Sequence, residues 1–138
     1  MSDNTIGKRA YSPYTEEPGG LVFTSGQVSM RDEEIVPGTF HEQLHLATDN
    51  LKDVLASAGL TMDDVKKATI FMLNKNPAEN ARNYRALNDF WVGAFEGPCP
   101  ARTVVFVAAL PFRLCVEIEA IAARPGSGTD PDTTRPGD

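Results

Sequence analysis

The stretch Pro100-Ala101-Arg102-Thr103-Val104-Val105-Phe106-Val107, followed after a short connection by Val116-Glu117-Ile118-Glu119-Ala120-Ile121-Ala122, decides the fold of this chain. Both segments are rich in β-branched residues, which predicts a pair of apolar strands joined by a connection that contains Pro111. Both segments contain charged residues at positions where a buried strand normally has apolar ones: Arg102 in the first segment, and Glu117 and Glu119 in the second. Because a buried, unpaired charge is costly, these residues either bind a ligand or pair with each other.

The bulk properties of the chain fit one globular domain and exclude several classes of partner. A length of 138 residues suits a single domain. The net charge of -6 and the lack of a basic stripe argue against nucleic acid as a partner. No apolar run approaches the roughly 20 residues of a membrane span, and no signal peptide opens the sequence. We therefore expect a cytoplasmic protein that does not bind membranes.

The cysteines and histidines do not suggest a metal site. Cys99 and Cys115 lack a CxxC spacing and have no histidine cluster near them, which favours reduced cytosolic thiols. His41 and His45 stand one helical turn apart, but no third ligand accompanies them. We expect neither a metal nor an organic cofactor.

The apolar pattern predicts one compact unit, residues 1–124, followed by a disordered tail, residues 125–138. The tail is rich in Pro, Gly, Asp and Thr and lacks apolar anchors. Within the unit, residues 21–25 and 66–73 predict strands, and Thr61–Asp64 predicts a capped turn. A first helix is indicated by apolar residues at three- and four-residue spacing and by a terminal glycine: Leu44, Ala47, Leu51, Val54, Leu55, Ala58 and Gly59.

A second helix begins with Asn76 as its capping residue and Pro77 at its first position. Its apolar stripe consists of Tyr84, Leu87, Trp91, Ala94 and Phe95. The sequence predicts that Gly97-Pro98 ends this helix. The order of elements predicts an α+β fold in which one sheet carries both helices on one face.

The last strand indicates assembly into an oligomer. Val116, Ile118 and Ala120 alternate with Glu117 and Glu119, and both resulting faces are partly apolar with embedded carboxylates on one of them. If the helices cover one face, the other face needs a cover as well. A second subunit can supply that cover.

Arg102 and Glu117 are the strongest candidates for chemistry. A planar guanidinium matches a carboxylate in two parallel hydrogen bonds. A strand-borne, partly desolvated carboxylate can have a raised pKa and accept a proton near neutral pH. From the residues alone, a structural ion pair between Arg102 and Glu117 or Glu119 is the simpler interpretation.

Several separated motifs between Tyr14 and Ala123 resemble the RidA family of reactive-intermediate deaminases. They include Tyr11-Ser12-Pro13-Tyr14, Thr24-Ser25-Gly26-Gln27 and the two strands quoted above. The resemblance implies a chorismate-mutase-like α+β sheet assembled as a homotrimer with sites between subunits. It also implies that Arg102 holds the substrate carboxylate and that Glu117 places or activates the hydrolytic water.

Five further positions receive roles from this resemblance. The Tyr14 phenol can donate to a carbonyl or an imine nitrogen, although a tyrosine after proline commonly packs. Ser25 and Gly26 match a strand-ending pair that can hold a carboxylate or a water, and Asn88 matches a helix asparagine that points toward the pocket. Val104 stands where many family members carry a cysteine, which makes the pocket more apolar and leaves only backbone groups to contribute hydrogen bonds there.

The resemblance implies a hydrolase that converts 2-aminoacrylate or 2-imino acids, released by pyridoxal-phosphate enzymes, into 2-keto acids and ammonia. This activity would serve metabolite damage control. Phe112 and Arg113 stand where smaller residues are common in the family, so an enzyme specialised for a larger imine or enamine in a dedicated pathway is an alternative. A non-catalytic ligand-binding or chaperone-like protein is a second alternative. The acidic balance and the absence of a histidine pair near Arg102 disfavour a ribonuclease.

Overall fold

The computed structural model describes residues 9–126, which form seven strands, two α-helices and two single 3-10 turns at Met62–Asp64 and Pro111–Arg113. The strands are β1 (Tyr14–Glu16), β2 (Leu21–Thr24), β3 (Met30–Arg31), β4 (Glu34–Ile35), β5 (Val65–Leu73), β6 (Ala101–Val107) and β7 (Val116–Ala123), and the helices are α1 (Phe40–Ser57) and α2 (Pro77–Val92). The predicted disordered tail, apart from its first two residues, lies outside the described residues.

One mixed sheet of five strands forms the body of the molecule, in the order β1-β2-β7-β5-β6. Strands β5 and β6 run parallel, whereas β7 runs antiparallel to both β5 and β2. The prediction of β6 and β7 as a strand pair is therefore wrong, because β5 lies between them. The cause is the crossover through α2, which returns the chain parallel to β5 on one side and leaves the other side of β5 for β7.

Capping side chains mark the start of both helices, and the predicted start of the second helix at Asn76 and Pro77 is confirmed. The Thr39 side chain accepts a hydrogen bond from the Glu42 backbone amide, and the Glu42 carboxylate accepts one from Thr39. At α2 the Asn76 side-chain oxygen accepts a hydrogen bond from the Glu79 backbone amide, with Pro77 at the first helical position. At the end of α1, Gly59 has a φ of 80°, the left-handed conformation that favours glycine.

Helix α2 ends earlier than predicted, at Val92 instead of near Gly97-Pro98. Gly93 ends the helix, and the chain then turns while the Trp91 and Phe95 rings still pack at 5.0 Å. The Asp63 carboxylate accepts hydrogen bonds from the backbone amides of Glu96 and Gly97 at 3.1 and 3.0 Å. These tertiary contacts hold residues 93–97 outside the helix although their apolar spacing continues its stripe.

The core lies between the sheet and the two helices. It contains these residues from the strands and helices: Val22, Leu44, Leu51, Leu55, Ala68, Ile70, Met72, Leu87, Trp91, Val116, Ile118 and Ala120. In β7 the alternation is as predicted, with Ile118 buried, Glu117 half-buried and Glu119 exposed. Neither helix in the described part of the chain is both long and apolar enough to cross a lipid bilayer.

Candidate functional site

Arg102 lies at the start of β6 and contacts two side chains of α2. Its Nη2 donates a hydrogen bond to Asn88 Oδ1 at 2.7 Å and lies 3.4 Å from the Tyr84 hydroxyl. The Arg102 Cζ lies 5.7 Å from the centroid of the Tyr84 ring, within cation–π distance. Tyr84 and Asn88 are one helical turn apart, so both reach the same guanidinium. We call Tyr84, Asn88, Arg102 and the neighbouring Val104 the arginine cluster.

The sheet register places Arg102 on the face that carries the helices. Arg102 is paired with Ala68 of β5, a core residue, and Val104 is paired with Ile70 and packs against the core. Because paired residues of neighbouring strands point to the same face, the Arg102 side chain is directed toward α2. The arginine cluster is thus built from the edge strand β6 and from one side of α2.

Glu117 and Glu119 lie on the opposite face of the sheet from Arg102. They are paired with Phe71 and Thr69 of β5, which alternate with Ala68 along the strand. The ion pairs among residues 9–126 are Arg9–Glu33, Arg82–Glu79 and Arg124–Glu16. None of them includes Arg102, so the interpretation of Arg102 as the partner of Glu117 or Glu119 within one chain is wrong.

Glu117 contacts the segment that follows β2. A Cβ atom built on Gly26 would overlap the Glu117 carboxylate and lie 2.8 Å from its Cδ, so the close approach requires glycine here. Two backbone hydrogen bonds between Gln27 and Ile118, of 2.7 and 2.9 Å, hold the segment against β7. We call Ser25, Gly26 and Glu117 the glutamate cluster.

Ser25 fixes the other side of this segment. Its hydroxyl donates to the Ser12 carbonyl at 2.5 Å, and its backbone amide donates to the Pro13 carbonyl at 2.9 Å. Because the serine hydrogen is engaged in this bond, the hydroxyl oxygen offers a ligand an acceptor. Tyr14 is half-buried in β1 and packs against the core. A catalytic role for its hydroxyl stays a prediction.

The environment of Glu117 suits proton transfer. Burial raises the pKa of the Glu117 carboxyl above its ordinary value of 4.5, and the negative charge of Glu119 raises it further. Both causes disfavour the ionised form. A carboxylate with a raised pKa is a stronger proton acceptor and can return the proton near neutral pH.

The described chain therefore brings all the predicted residues except Tyr14 together in two separate clusters. A cleft of about 960 Å³ lies beside α1 and is lined by Gly26 but by neither Arg102 nor Glu117. Tyr84 belongs to the arginine cluster, although its spacing in the sequence predicted only a place in the apolar stripe of α2. Its spacing of four residues from Asn88 is the signal that could have identified it.

The fold is shared with solved Rid proteins. A Yersinia pestis protein of the conserved Rid protein family aligns with a TM-score of 0.74, at 33% identity, over 83% of this chain and 88% of that chain. Escherichia coli TdcF, solved with bound serine, aligns with a TM-score of 0.69, at 32% identity, over 84% of this chain and 89% of that chain. The mixed sheet with two helices on one face thus defines a Rid-type α+β protein.

The sequence comparison gives the same result. The model of the family described as endoribonuclease L-PSP matches residues 3–124, and the chain belongs to that family. A Dermatophagoides farinae protein named 2-iminobutanoate/2-iminopropanoate deaminase is 38% identical over 113 residues, which cover 79% of this chain and 84% of that protein. The resemblance to the RidA family is confirmed.

Proposed function

We propose that this protein is a hydrolytic deaminase that converts 2-imino acids and 2-aminoacrylate into 2-keto acids and ammonia. The observation that carries the proposal is the set of hydrogen bonds that Arg102 makes. Its guanidinium is held by two neutral side chains of α2, without an ion-pair partner among residues 9–126. Such an arginine is ready for a carboxylate from a ligand. The names of the relatives as imine deaminases supply the reaction class.

The proposal includes a homotrimer in which each site combines the arginine cluster of one subunit with the glutamate cluster of the next. Two facts support it. The clusters lie on opposite faces of one sheet, so a substrate of a few atoms cannot touch both in one chain. The face that carries Glu117 also holds half-buried Phe71 and Ile121, as a face that packs against another subunit would. A closed ring of head-to-tail contacts joins unlike surfaces of identical subunits.

The chemistry follows from these positions. Arg102 holds the substrate carboxylate and thereby fixes the adjacent C=N carbon. A water held by Glu117 and the Ser25 oxygen adds to that carbon, while the π electrons of the C=N bond move to nitrogen. Glu117 takes the proton of the water and delivers it to the amino nitrogen. Glu117 then takes the hydroxyl proton of the carbinolamine and gives it to the nitrogen, so the C–N bond electrons leave with that nitrogen as ammonia while the oxygen forms the carbonyl.

The second candidate function is hydrolysis of an imine larger than 2-iminopropanoate, and two features of the connection between β6 and β7 favour it. Phe112 has a relative exposure of 66%, and both Phe112 and Arg113 adopt positive φ, at 62° and 60°. Non-glycine residues in this conformation carry strain that other contacts must offset. Turnover of imines that carry bulky or charged side chains, compared with 2-iminopropanoate, distinguishes the two candidates.

Subunit complementation tests the proposal. Arg102→Ala and Glu117→Gln chains, each inactive in imine hydrolysis, are co-expressed with different tags and purified as mixed oligomers. Each site draws its two clusters from different chains, so about a quarter of the sites contain both intact clusters and about 25% of wild-type activity returns. The assay supplies imines from an amino acid oxidase and follows ammonia and keto acid. Absence of turnover by the wild-type chain would instead favour a ligand-binding protein.

The proposal further includes a cytoplasmic location and turnover without a metal or organic cofactor. The free thiols of Cys99 and Cys115 support a reducing compartment. Wild-type turnover should be unchanged after dialysis against a chelator. A tagged chain should be recovered in the cytosolic fraction, whereas recovery with organelles would overturn the location.

A further inference from the structure

Tyr84 and Asn88 together occupy the Arg102 nitrogen that a bound carboxylate needs. A guanidinium can form two parallel hydrogen bonds to a carboxylate along its Nε–Nη2 edge or its Nη1–Nη2 edge, and both edges use Nη2. In this structure Nη2 already faces two acceptors, Asn88 Oδ1 at 2.7 Å and the Tyr84 hydroxyl at 3.4 Å. A two-bond clamp can therefore form only when one of these acceptors withdraws.

The distances and exposures indicate which acceptor withdraws. The contact to Asn88 has the length of a strong N–H···O bond, whereas the contact to Tyr84 is longer than the usual 2.7–3.2 Å. Asn88 is half-buried on α2, whereas Tyr84 has a relative exposure of 40%. Because the contact is already long and the ring is exposed, a small shift of the ring releases its oxygen from Nη2 without disturbing the core and keeps the ring beside the guanidinium.

We infer that Tyr84 is a positioning residue that holds Arg102 before substrate binds and yields its hydrogen bond to the substrate carboxylate. The inference rests on the proposed function, in which Arg102 holds that carboxylate. The ring has a separate effect from the hydroxyl, because its face lies against the guanidinium and restrains it through the cation–π contact. The hydroxyl competes with the substrate, and the ring prepares Arg102 for it.

Substitutions at Tyr84 separate these two effects. Tyr84→Phe keeps the ring and removes the competing acceptor, so the Kd for 2-oxobutanoate and the KM for the imino acid should fall about three- to tenfold. Tyr84→Leu removes the ring as well, so both constants should rise about threefold or more above the Tyr84→Phe values. The kcat should stay within about twofold of wild type in both variants, since Tyr84 does not touch the reacting carbon.

The experiment combines calorimetric titration with 2-oxobutanoate and imine hydrolysis kinetics, and melting curves check the fold of each variant. Val92→Ala is the control, because Val92 is on the same helix with a relative exposure of 65% and should change neither constant. In an Arg102→Lys background, which lacks the planar fork, Tyr84→Phe should change neither constant.

The outcomes separate this inference from the proposed function. Unchanged or weaker binding of 2-oxobutanoate by Tyr84→Phe, or an equal gain in the Arg102→Lys background, overturns the role of Tyr84. If the wild-type chain hydrolyses no imine, the proposed function fails instead. The titration reports on Tyr84 even when no turnover is detected, because it requires only carboxylate binding.

Discussion

Arg102→Ala should remove activity while leaving the protein folded, and the structure sets the size of both effects. The stability cost comes from one charge-assisted hydrogen bond to Asn88 and a half-exposed cation–π contact with Tyr84. Together these contribute about 1–2 kcal/mol, equivalent to a melting temperature roughly 3–10 °C lower. Removal of one partner from a buried ion pair would cost about 3–5 kcal/mol, but Arg102 has no such partner among residues 9–126.

The effect on catalysis should be much larger. Two charge-assisted hydrogen bonds to the substrate carboxylate contribute about 3 kcal/mol, so their loss lowers kcat/KM by roughly a hundredfold. Arg102→Lys should restore little of this loss, because an ammonium group lacks the planar fork. Asn88→Asp should also reduce activity, since it places a carboxylate at the position 2.7 Å from Nη2 and competes with the substrate.

The assay compares melting curves with the rates of ammonia and keto acid formation from imines generated in situ. Arg82→Ala is the matched control, because Arg82 is an exposed arginine of α2 whose contact to Glu79 is 3.9 Å long. It should change neither stability nor turnover. An unfolded Arg102→Ala protein, or a folded one with undiminished hydrolysis, would show that Arg102 is structural and refute the reasoning.

Four further predictions concern the glutamate cluster and the buried thiol. Gly26→Ala should displace the Glu117 carboxylate and reduce turnover at least about tenfold, whereas Gly19→Ala, whose added Cβ would contact nothing, should be neutral in the same assay. Because the pKa of Glu117 is raised, its contribution to stability is complete below the unfolded value of 4.5 and is lost as pH rises through the folded pKa and the buried carboxyl ionises. Urea titrations should therefore find Glu117→Gln more stable than wild type at neutral pH but equal to it near about pH 4. Glu119→Gln should lower the Glu117 pKa and move the acid limb of the kcat/KM profile to lower pH; an unmoved limb would count against Glu117 as the titrating base. Cys115→Ser should keep full turnover but lose about 1–2 kcal/mol of unfolding free energy in urea titrations, because the substitution buries a hydroxyl at a residue that is 6% exposed. Lost activity in a folded variant would contradict the assigned site.

The sequence by itself determined the elements that depend on neighbouring residues. Asn76 and Pro77 mark the start of α2, and Gly59 marks the end of α1, because capping acts within one turn. The alternation of Ile118 and Glu117 gave the two faces of β7, because the side-chain period of a strand is two. The end of α2 was wrong because Asp63, distant in sequence, binds the following turn.

Recognising the site residues required contacts between parts of the chain that are distant in sequence. The resemblance supplied Ser25, Gly26 and Asn88 as candidates, and the structure adds the reason for Gly26, which is the approach of Glu117. It also adds Tyr84, whose ring has a partner only once α2 packs beside β6. Neither contact follows from local pattern, because each joins residues of different elements.

Only the tertiary structure decided that Arg102 and Glu117 lie on opposite faces of the sheet. A period of two fixes the face of each residue relative to its neighbours in the same strand, but not relative to another strand. That relation depends on strand order and register, and here β5 lies between β6 and β7 and pairs Ala68 with Arg102 and Phe71 with Glu117. The pairing energy of the sheet and the packing of both helices on one face select this register, and both are properties of the whole folded chain.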